Sequence, residues 1–382
     1  MKASRLKDIP GFSIDEVAKA AGEDPAVLRL ENLDTGLAPP QLALKATLAA
    51  IGQDAHNSYL PFTGQENLRQ LVAQKLSRQT NQPYSSSHVV ITCGGTEGMF
   101  DALLALTNPG DEVILTDPTY AGMINRVRLA GGVPVLVPFV PAANEWRLDL
   151  TALQAAVTPR TKAFFLMNPS MPSGAVFTLT EWQAIARLCT RHRLWLIYNA
   201  AMERILFDQR QLIHPAALEG MAQRTIIVGS ASKEFRMIGW RIGWVVAPKQ
   251  VVDDIARVHI YNAVTPSGFA QAGVAGALLA PADDFEKCRS EWQKRRDTLV
   301  EQLDTYAMIP AAGGWSQLLD VSAFGMDAAT ASQLLLKKGK TAVTPMTHWG
   351  QKNSSQFIRL VFSNESVERL STLCERFKAA FG

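Results

Sequence analysis

A lysine set among small hydroxyl residues and a glycine-flanked arginine constrains this chain more than any other feature. The stretch SASKEFRMIGWRIGW places Ser230 and Ser232 just before Lys233 and puts Arg241 eight residues after it. Hydroxyl groups and a planar guanidinium can grip a phosphate, and the amine beside them is available for covalent chemistry. A surface lysine next to a turn needs none of these neighbours. The stretch therefore predicts a site where one amine lies beside one bound phosphate.

A glycine turn is predicted to form the opposite wall of that site. Residues 88–120 alternate a β-rich run, a turn, an apolar-periodic helix and a second β-rich run, which is typical of a β-α-β unit. The turn contains Gly94, Gly95 and Thr96 and stands where the helix begins. Ordinary turn chemistry also explains such glycines. However, the N–H groups and dipole of a helix N-terminus bind anions, which fits a phosphate.

The order of predicted elements indicates an α/β fold. Strands are predicted at 133–139, 163–167, 194–198 and 225–230, with helices between them, so a mostly parallel sheet flanked by helices is expected. An amphipathic helix is predicted within 13–28, and long helices at 268–279 and 285–304 precede a smaller α/β segment. Because 382 residues exceed the roughly 250–300 that one core supports, we predict two domains. The large domain is 45–280, and the small domain combines 1–44 with 281–382.

Charge and cysteine content exclude several classes of protein. A net charge of +3 without a long basic run argues against nucleic acid or an anionic membrane as a partner. The four cysteines are far apart and lack C-x-x-C spacing, which argues against a zinc site or a disulfide framework, and no metal ligands are predicted. No apolar run is long enough for a membrane span or a signal peptide. We expect a cytoplasmic protein.

The spacing S-x-S-K-x-F-x-x-x-G-x-R-x-G resembles the signature of the class I/II aminotransferase family, pyridoxal-phosphate enzymes of fold type I. The resemblance implies an aspartate aminotransferase-like fold with a large domain built on a seven-stranded-type sheet. It implies that Lys233 forms a Schiff base with pyridoxal 5'-phosphate and moves the proton between the substrate Cα and C4′. It further implies an α-amino acid and a 2-oxo acid as substrates, and a homodimer with shared active sites.

The same resemblance assigns roles to other residues. Tyr120, after the second strand, resembles the ring that stacks on the cofactor pyridine. Gly36 lies in a segment similar to the crossover beside the substrate, and Arg359, in QFIRLVFSN, resembles the arginine that holds the substrate carboxylate. The residues implied to bind the cofactor phosphate are Gly94, Gly95, Thr96, Ser230, Ser232, Arg241 and, across the dimer, the partner subunit's Tyr59.

Three positions depart from the family pattern, and all three concern the cofactor ring. Met171 and Met202 replace the asparagine and the tyrosine that donate hydrogen bonds to the ring O3′, which should raise the pKa of the Schiff base. Asn199 replaces the aspartate that pairs with the ring nitrogen. Aspartate keeps that nitrogen protonated, whereas Asn199 has no charge to do so. The cofactor ring is therefore predicted to be a poorer electron sink when it faces Asn199.

The leading hypothesis is therefore a pyridoxal-phosphate-dependent aminotransferase, with two alternatives left open. In one, the altered ring contacts serve another amino-acid reaction such as oxidation, elimination or racemisation. In the other, the chain is a non-catalytic relative that senses an amino acid. The retained Lys233 argues against this alternative. Trp315, His348 and Trp349 lie in segments that line the side-chain pocket in the family, so an apolar or aromatic substrate is one option.

Overall fold

The computed structural model describes residues 4–11, 13–351 and 354–382. Within these ranges the helices are α1 (Ser13–Ala21), α2 (Gln41–Ile51), α3 (Glu66–Thr80), α4 (Gly95–Leu106), α5 (Ala121–Leu129), α6 (Leu150–Ala155), α7 (Leu179–His192), α8 (Lys249–Ala263), α9 (Gly268–Leu278), α10 (Ala282–Gln302), α11 (Ala328–Lys337), α12 (Val367–Leu370) and α13 (Leu373–Phe381). The strands are β1 (Leu28–Arg29), β2 (Val89–Thr92), β3 (Glu112–Asp117), β4 (Val133–Ala142), β5 (Glu145–Leu148), β6 (Thr161–Met167), β7 (Trp195–Asn199), β8 (Thr225–Ser230), β9 (Gly243–Val246), β10 (Ser316–Asp320), β11 (Thr341–Ala342), β12 (Thr344–Pro345) and β13 (Phe357–Val361).

One large sheet organises the molecule. Among the described residues its order is β2-β9-β8-β7-β6-β3-β4-β5. The strands from β8 to β4 in that order pair in parallel, whereas β9 is antiparallel to both of its neighbours. β5 pairs with β4 and is the outermost strand on that side of the sheet. The prediction of an α/β fold with a mostly parallel sheet is confirmed.

Helices begin and end where local chemistry dictates. At the start of α7, Thr178 Oγ1 accepts a hydrogen bond from the Glu181 N–H (3.2 Å) and Glu181 Oε2 accepts one from the Thr178 N–H (2.6 Å), a reciprocal capping box. The helix predicted within 13–28 is shorter than that segment. It ends at Ala21 because Gly22 adopts a left-handed φ of +58°, and Leu28 already belongs to β1.

Two smaller sheets are built mainly from the last third of the chain. One has the order β10-β13-β12, with all pairs antiparallel. In the other, β1 from the N-terminal segment pairs in parallel with β11. The N-terminal and C-terminal segments are thus joined by backbone hydrogen bonds. The division into domains at 45 and 280 stays a prediction.

The carboxyl ends of the parallel strands define one edge of the large sheet. Asp117 ends β3, Asn199 ends β7 and Ser230 ends β8. Loops at this edge carry the polar side chains, whereas the strands themselves are almost wholly buried. Open α/β sheets bind ligands at this edge.

Candidate active site

The glycine turn between β2 and α4 presents an anion-binding helix N-terminus. Gly94 is the residue before the helix and has a φ of +78°. A Cβ atom on Gly94 would lie 2.5 Å from Arg241 Nη2, so only glycine lets the guanidinium come this close. Gly95 and Thr96 then begin α4, where backbone N–H groups have no partner within the helix.

The serine and arginine stretch forms the facing wall. β8 ends at Ser230, whose Oγ accepts a hydrogen bond from the Ser232 N–H (3.1 Å). Arg241 Nη1 donates to Ser232 Oγ (3.3 Å) and to the Ile238 carbonyl (2.9 Å). Both serines are buried, and Arg241 is exposed at the mouth of the site. Hydroxyl, guanidinium and helix N-terminus therefore converge as the sequence predicts.

Lys233 projects into the space enclosed by these walls. Its Nζ donates a hydrogen bond to the Leu33 carbonyl oxygen (2.6 Å) and lies 5.1 Å from the centre of the Trp315 ring. Burial, opposed by the negative charge of Asp34 and assisted by the positive charges of Arg359 and Arg241, lowers the pKa of Lys233 to about 7. A lysine whose amine is neutral near pH 7 can act as a nucleophile or a base.

Two side chains at the carboxyl ends of the strands border the centre of the space into which Lys233 projects. Tyr120 precedes α5, and its ring lies 5.6 Å from that of Trp349. Asn199 is 5% exposed, and its Oδ1 accepts a hydrogen bond from the Ala201 N–H (3.1 Å). The amide is thereby oriented, because a backbone N–H needs an acceptor and only Oδ1 can serve.

Arg359 lies at the far end, on β13, and is fully buried. Its Nη2 donates to the Glu31 carbonyl and to Thr344 Oγ1 (3.2 Å), and its guanidinium is 4.9 Å from the Trp349 ring centre. Its Nε has no hydrogen-bond partner among the described residues, although it is buried. Burial lowers the pKa of Arg359 to about 10, so the group is still a cation at pH 7. An incoming carboxylate would supply the missing acceptor.

A cavity of about 280 Å³ brings most of the predicted residues together. Those that line it are Gly95, Thr96, Tyr120, Asn199, Ser230, Ser232, Lys233, Arg241 and Arg359. Gly94 contributes by contact with Arg241, as described above. Gly36 and Tyr59 do not line it within this chain: a Cβ on Gly36 would meet the Asn364 carbonyl at 2.9 Å, and Tyr59 is 86% exposed.

The lining also contains residues that sequence reasoning missed or placed differently. Missed residues are Ile14, Asp15, Asn32, Leu33, Met99, Met167, Ala201 and Ile238. Met171 lines the cavity, whereas Met202 is buried and outside the lining. Leu33 contributes its carbonyl oxygen, for which no sequence signal exists. Met99 could have been found, since it lies one helical turn after Thr96 on α4.

Comparison with known proteins identifies the class. The family model described as "Aminotransferase class I and II" matches residues 31–377. The arginine–pyruvate transaminase AruH of Pseudomonas aeruginosa is 33% identical over 324 residues, covering 83% of this chain and 81% of that protein. The aspartate/prephenate aminotransferase of Thermus thermophilus is 31% identical, and the match covers 97% of this chain and 92% of that protein. The solved structure of N-succinyldiaminopimelate aminotransferase from Mycobacterium tuberculosis superimposes with a TM-score of 0.92 at 30% identity. The match covers 98% of this chain and 99% of that structure.

The chain belongs to the class I and II aminotransferase family. It is a pyridoxal-phosphate-dependent aminotransferase, which moves an amino group between an α-amino acid and a 2-oxo acid. The leading hypothesis is thus confirmed, and neither another amino-acid reaction nor a sensing role is favoured. None of the helices in the described ranges combines the length and apolar character that crossing a bilayer requires.

Proposed function

We propose that Lys233 carries the cofactor of this aminotransferase and transfers the proton during the reaction. Bound pyridoxal phosphate supplies an aldehyde that takes up an amine and a ring that delocalises electrons from the substrate Cα. The observation that carries the proposal is the position of the Lys233 amine, within one cavity that also contains the helix turn at Gly95 and the Arg359 guanidinium. With its pKa at about 7, the Lys233 amine would hold the cofactor through its aldehyde carbon and, when free of it, would take the proton from the substrate Cα and return it at C4′.

The residues around the turn fit a phosphate dianion. Ser232 Oγ already accepts a hydrogen bond from Arg241, so its O–H is left to donate to a phosphate oxygen. The guanidinium and the N–H groups at the start of α4 add charge and donors. We assign phosphate binding to Gly94, Gly95, Thr96, Ser230, Ser232 and Arg241. Tyr120 then stacks on the ring, and Asn199 faces the ring nitrogen.

Arg359 is proposed to hold the α-carboxylate of the substrate. The buried Nε of Arg359, which has no hydrogen-bond partner in the described ranges, supports this role, because a carboxylate can accept from Nε and a terminal nitrogen together. The segment that carries Leu33 and Gly36 runs beside Lys233, as the hydrogen bond between Lys233 and the Leu33 carbonyl indicates. We propose that the Gly36 backbone lies beside the same carboxylate.

A homodimer with shared sites is proposed from the surface around Tyr59. This tyrosine is 86% exposed, and Phe62, Tyr261 and Phe269 are other exposed aromatic side chains. Mixing Lys233→Ala chains with Tyr59→Ala chains tests the sharing, because a mixed dimer would contain one site with both residues intact. Cofactor binding should be recovered in the mixture. Unrestored binding, or a fully active monomer in sedimentation, would contradict the shared site.

The division into domains at 45 and 280 and the cytoplasmic location are also proposed. Pairing of β1 with β11 supports placing the N-terminal segment with the small domain. Four free cysteines support a reducing compartment.

The decisive experiment for Lys233 is chemical. Borohydride reduction of the holoenzyme should fix the cofactor on the peptide that contains Lys233, and peptide mapping identifies that peptide. Lys233→Ala should show neither the label nor the visible absorbance of the attached cofactor. Label on another lysine would remove the basis of the proposal.

A further inference from the structure

A second cluster of ligating side chains lies outside the Lys233 cavity, between α4 and α8. Glu97 and Asp101 are four residues apart and therefore share one face of α4, and His259 faces them from α8. His259 Nδ1 lies 2.7 Å from Glu97 Oε1 and 3.8 Å from Asp101 Oδ2. One nitrogen and two carboxylate oxygens thus lie within 4.8 Å of one another.

The outer atoms of these three groups are already held by other residues. The Phe62 carbonyl can only accept, so His259 Nε2 (3.0 Å away) donates to it, and His259 Nδ1 faces the carboxylates, where it is hydrogen-bonded to Glu97 Oε1 (2.7 Å). The two remaining outer contacts are from the Cys93 N–H to Glu97 Oε2 and from Asn262 Nδ2 to Asp101 Oδ1 (3.0 Å). Outer contacts of this kind orient the ligands of metal sites.

On the inner side of the cluster, one nitrogen faces two buried carboxylates. Asp101 is fully buried, and its Oδ2 has no hydrogen-bond partner in the described part of the chain. Glu97 is 8% exposed at its side chain, and within the same residues neither carboxylate has an ion pair with a lysine or an arginine. Two buried carboxylates beside one imidazole can each offer an oxygen to a divalent cation, which would balance their charge and displace the proton shared by His259 Nδ1 and Glu97 Oε1.

We propose that Glu97, Asp101 and His259 bind one divalent transition-metal ion of the Zn²⁺ type. Ligand atoms about 2.0–2.1 Å from a tetrahedral metal lie about 3.3 Å apart, and the distances of 2.7 and 3.8 Å measured from His259 Nδ1 bracket this value. Water can complete the coordination, because Glu97 and Asn262 line an open groove of about 590 Å³. The cysteine spacing did not predict this site, since its ligands are one imidazole and two carboxylates.

The site would fasten the phosphate-binding turn to α8. Glu97 follows Thr96 directly, and its second oxygen holds the Cys93 N–H at the start of the turn. The role is structural, takes no part in proton transfer at Lys233, and does not depend on the proposed function of that residue.

The test is zinc binding to the holoenzyme after dialysis against a chelator. Isothermal titration with Zn²⁺ should give about one site per chain, and Co²⁺ substitution should give the visible bands of a bound ion. Asp101→Asn keeps the shape of the side chain and should weaken binding at least about 100-fold. Asp253→Asn, at an exposed acid of α8, is the matched control and should bind like the wild type.

The outcomes separate a metal site from a protonated cluster. If the wild type takes up no Zn²⁺, or if Asp101→Asn binds it as tightly as the wild type, the inference is wrong and protons balance the charges. Should Asp101→Asn fail to fold, His259→Gln provides the same comparison. The Co²⁺ spectrum of the wild type then decides independently, since its absence would also overturn the inference.

Discussion

Replacing Asn199 by aspartate tests whether this residue controls the electronic state of the cofactor ring. Asn199 lines the cavity, and its Oδ1 is occupied by the Ala201 N–H. Its Nδ2 is therefore the atom left to face the ring nitrogen. An amide N–H can donate to an unprotonated nitrogen but offers nothing to a protonated one.

The expected size of the effect follows from this geometry. Asn199→Asp keeps the acceptor for Ala201 and puts an anionic oxygen where Nδ2 was. Opposite unit charges about 2.8 Å apart attract by about 6 kcal/mol at an effective dielectric constant of about 20. Removing a carboxylate from water offsets several kcal/mol of this attraction. A net gain of about 3 kcal/mol in the transition state corresponds to roughly 10²-fold in rate, because each 1.36 kcal/mol is a factor of ten.

Single-turnover half-reactions of both proteins with a panel of amino acids measure this gain. The ¹⁵N resonance of labelled cofactor reports the protonation of the ring nitrogen independently of the rate. Asn168→Asp is the matched control, since Asn168 is a buried asparagine after the neighbouring strand that does not line the cavity. An unchanged rate and an unchanged resonance would mean that Asn199 does not face the ring nitrogen. A protonated ring with a slower half-reaction would refute the idea that the neutral amide limits the enzyme.

Three further predictions concern the cavity. Arg359→Leu should lower kcat/KM for amino acids by about 10²-fold or more while cofactor binding persists, because a buried charge pair with the substrate is lost. If the variant and the wild type had the same kcat/KM, the carboxylate role would be excluded. Reattachment of pyridoxal phosphate to the apoenzyme should slow as pH falls through about 7, since the pKa of Lys233 is lowered to that value and only the neutral amine reacts. A pH profile of the reattachment rate with its midpoint near 10 would show that burial does not act on this lysine. Gly94→Ala should weaken cofactor affinity at least tenfold by displacing Arg241, and Gly110→Ala, at another left-handed glycine with open space around it, is the control for backbone strain alone.

Much of the fold could be predicted because its signals are local. The strand predicted at 225–230 coincides with β8, and the helix predicted at 268–279 begins at Gly268 as α9 and ends one residue early, at Leu278. Arg359 shows the limit of such reasoning. Alternation along β13 cannot tell its site face from its core face, because Ile358, Arg359 and Leu360 are all buried. The two-residue strands β11 and β12 have no pattern of their own and exist only through their pairing partners.

The charges that line the cavity connect binding with catalysis. Lys233, Arg241 and Arg359 face one space, and Asp15 is the acidic side chain among the described lining residues. Both arginines lower the pKa of Lys233, and a phosphate on Arg241 or a carboxylate on Arg359 would cancel part of that effect. The pKa of the amine should therefore rise when substrate binds. In the role proposed for it, Lys233 would be neutral enough to hold the cofactor before substrate arrives and would become a stronger base when it must take the proton from Cα.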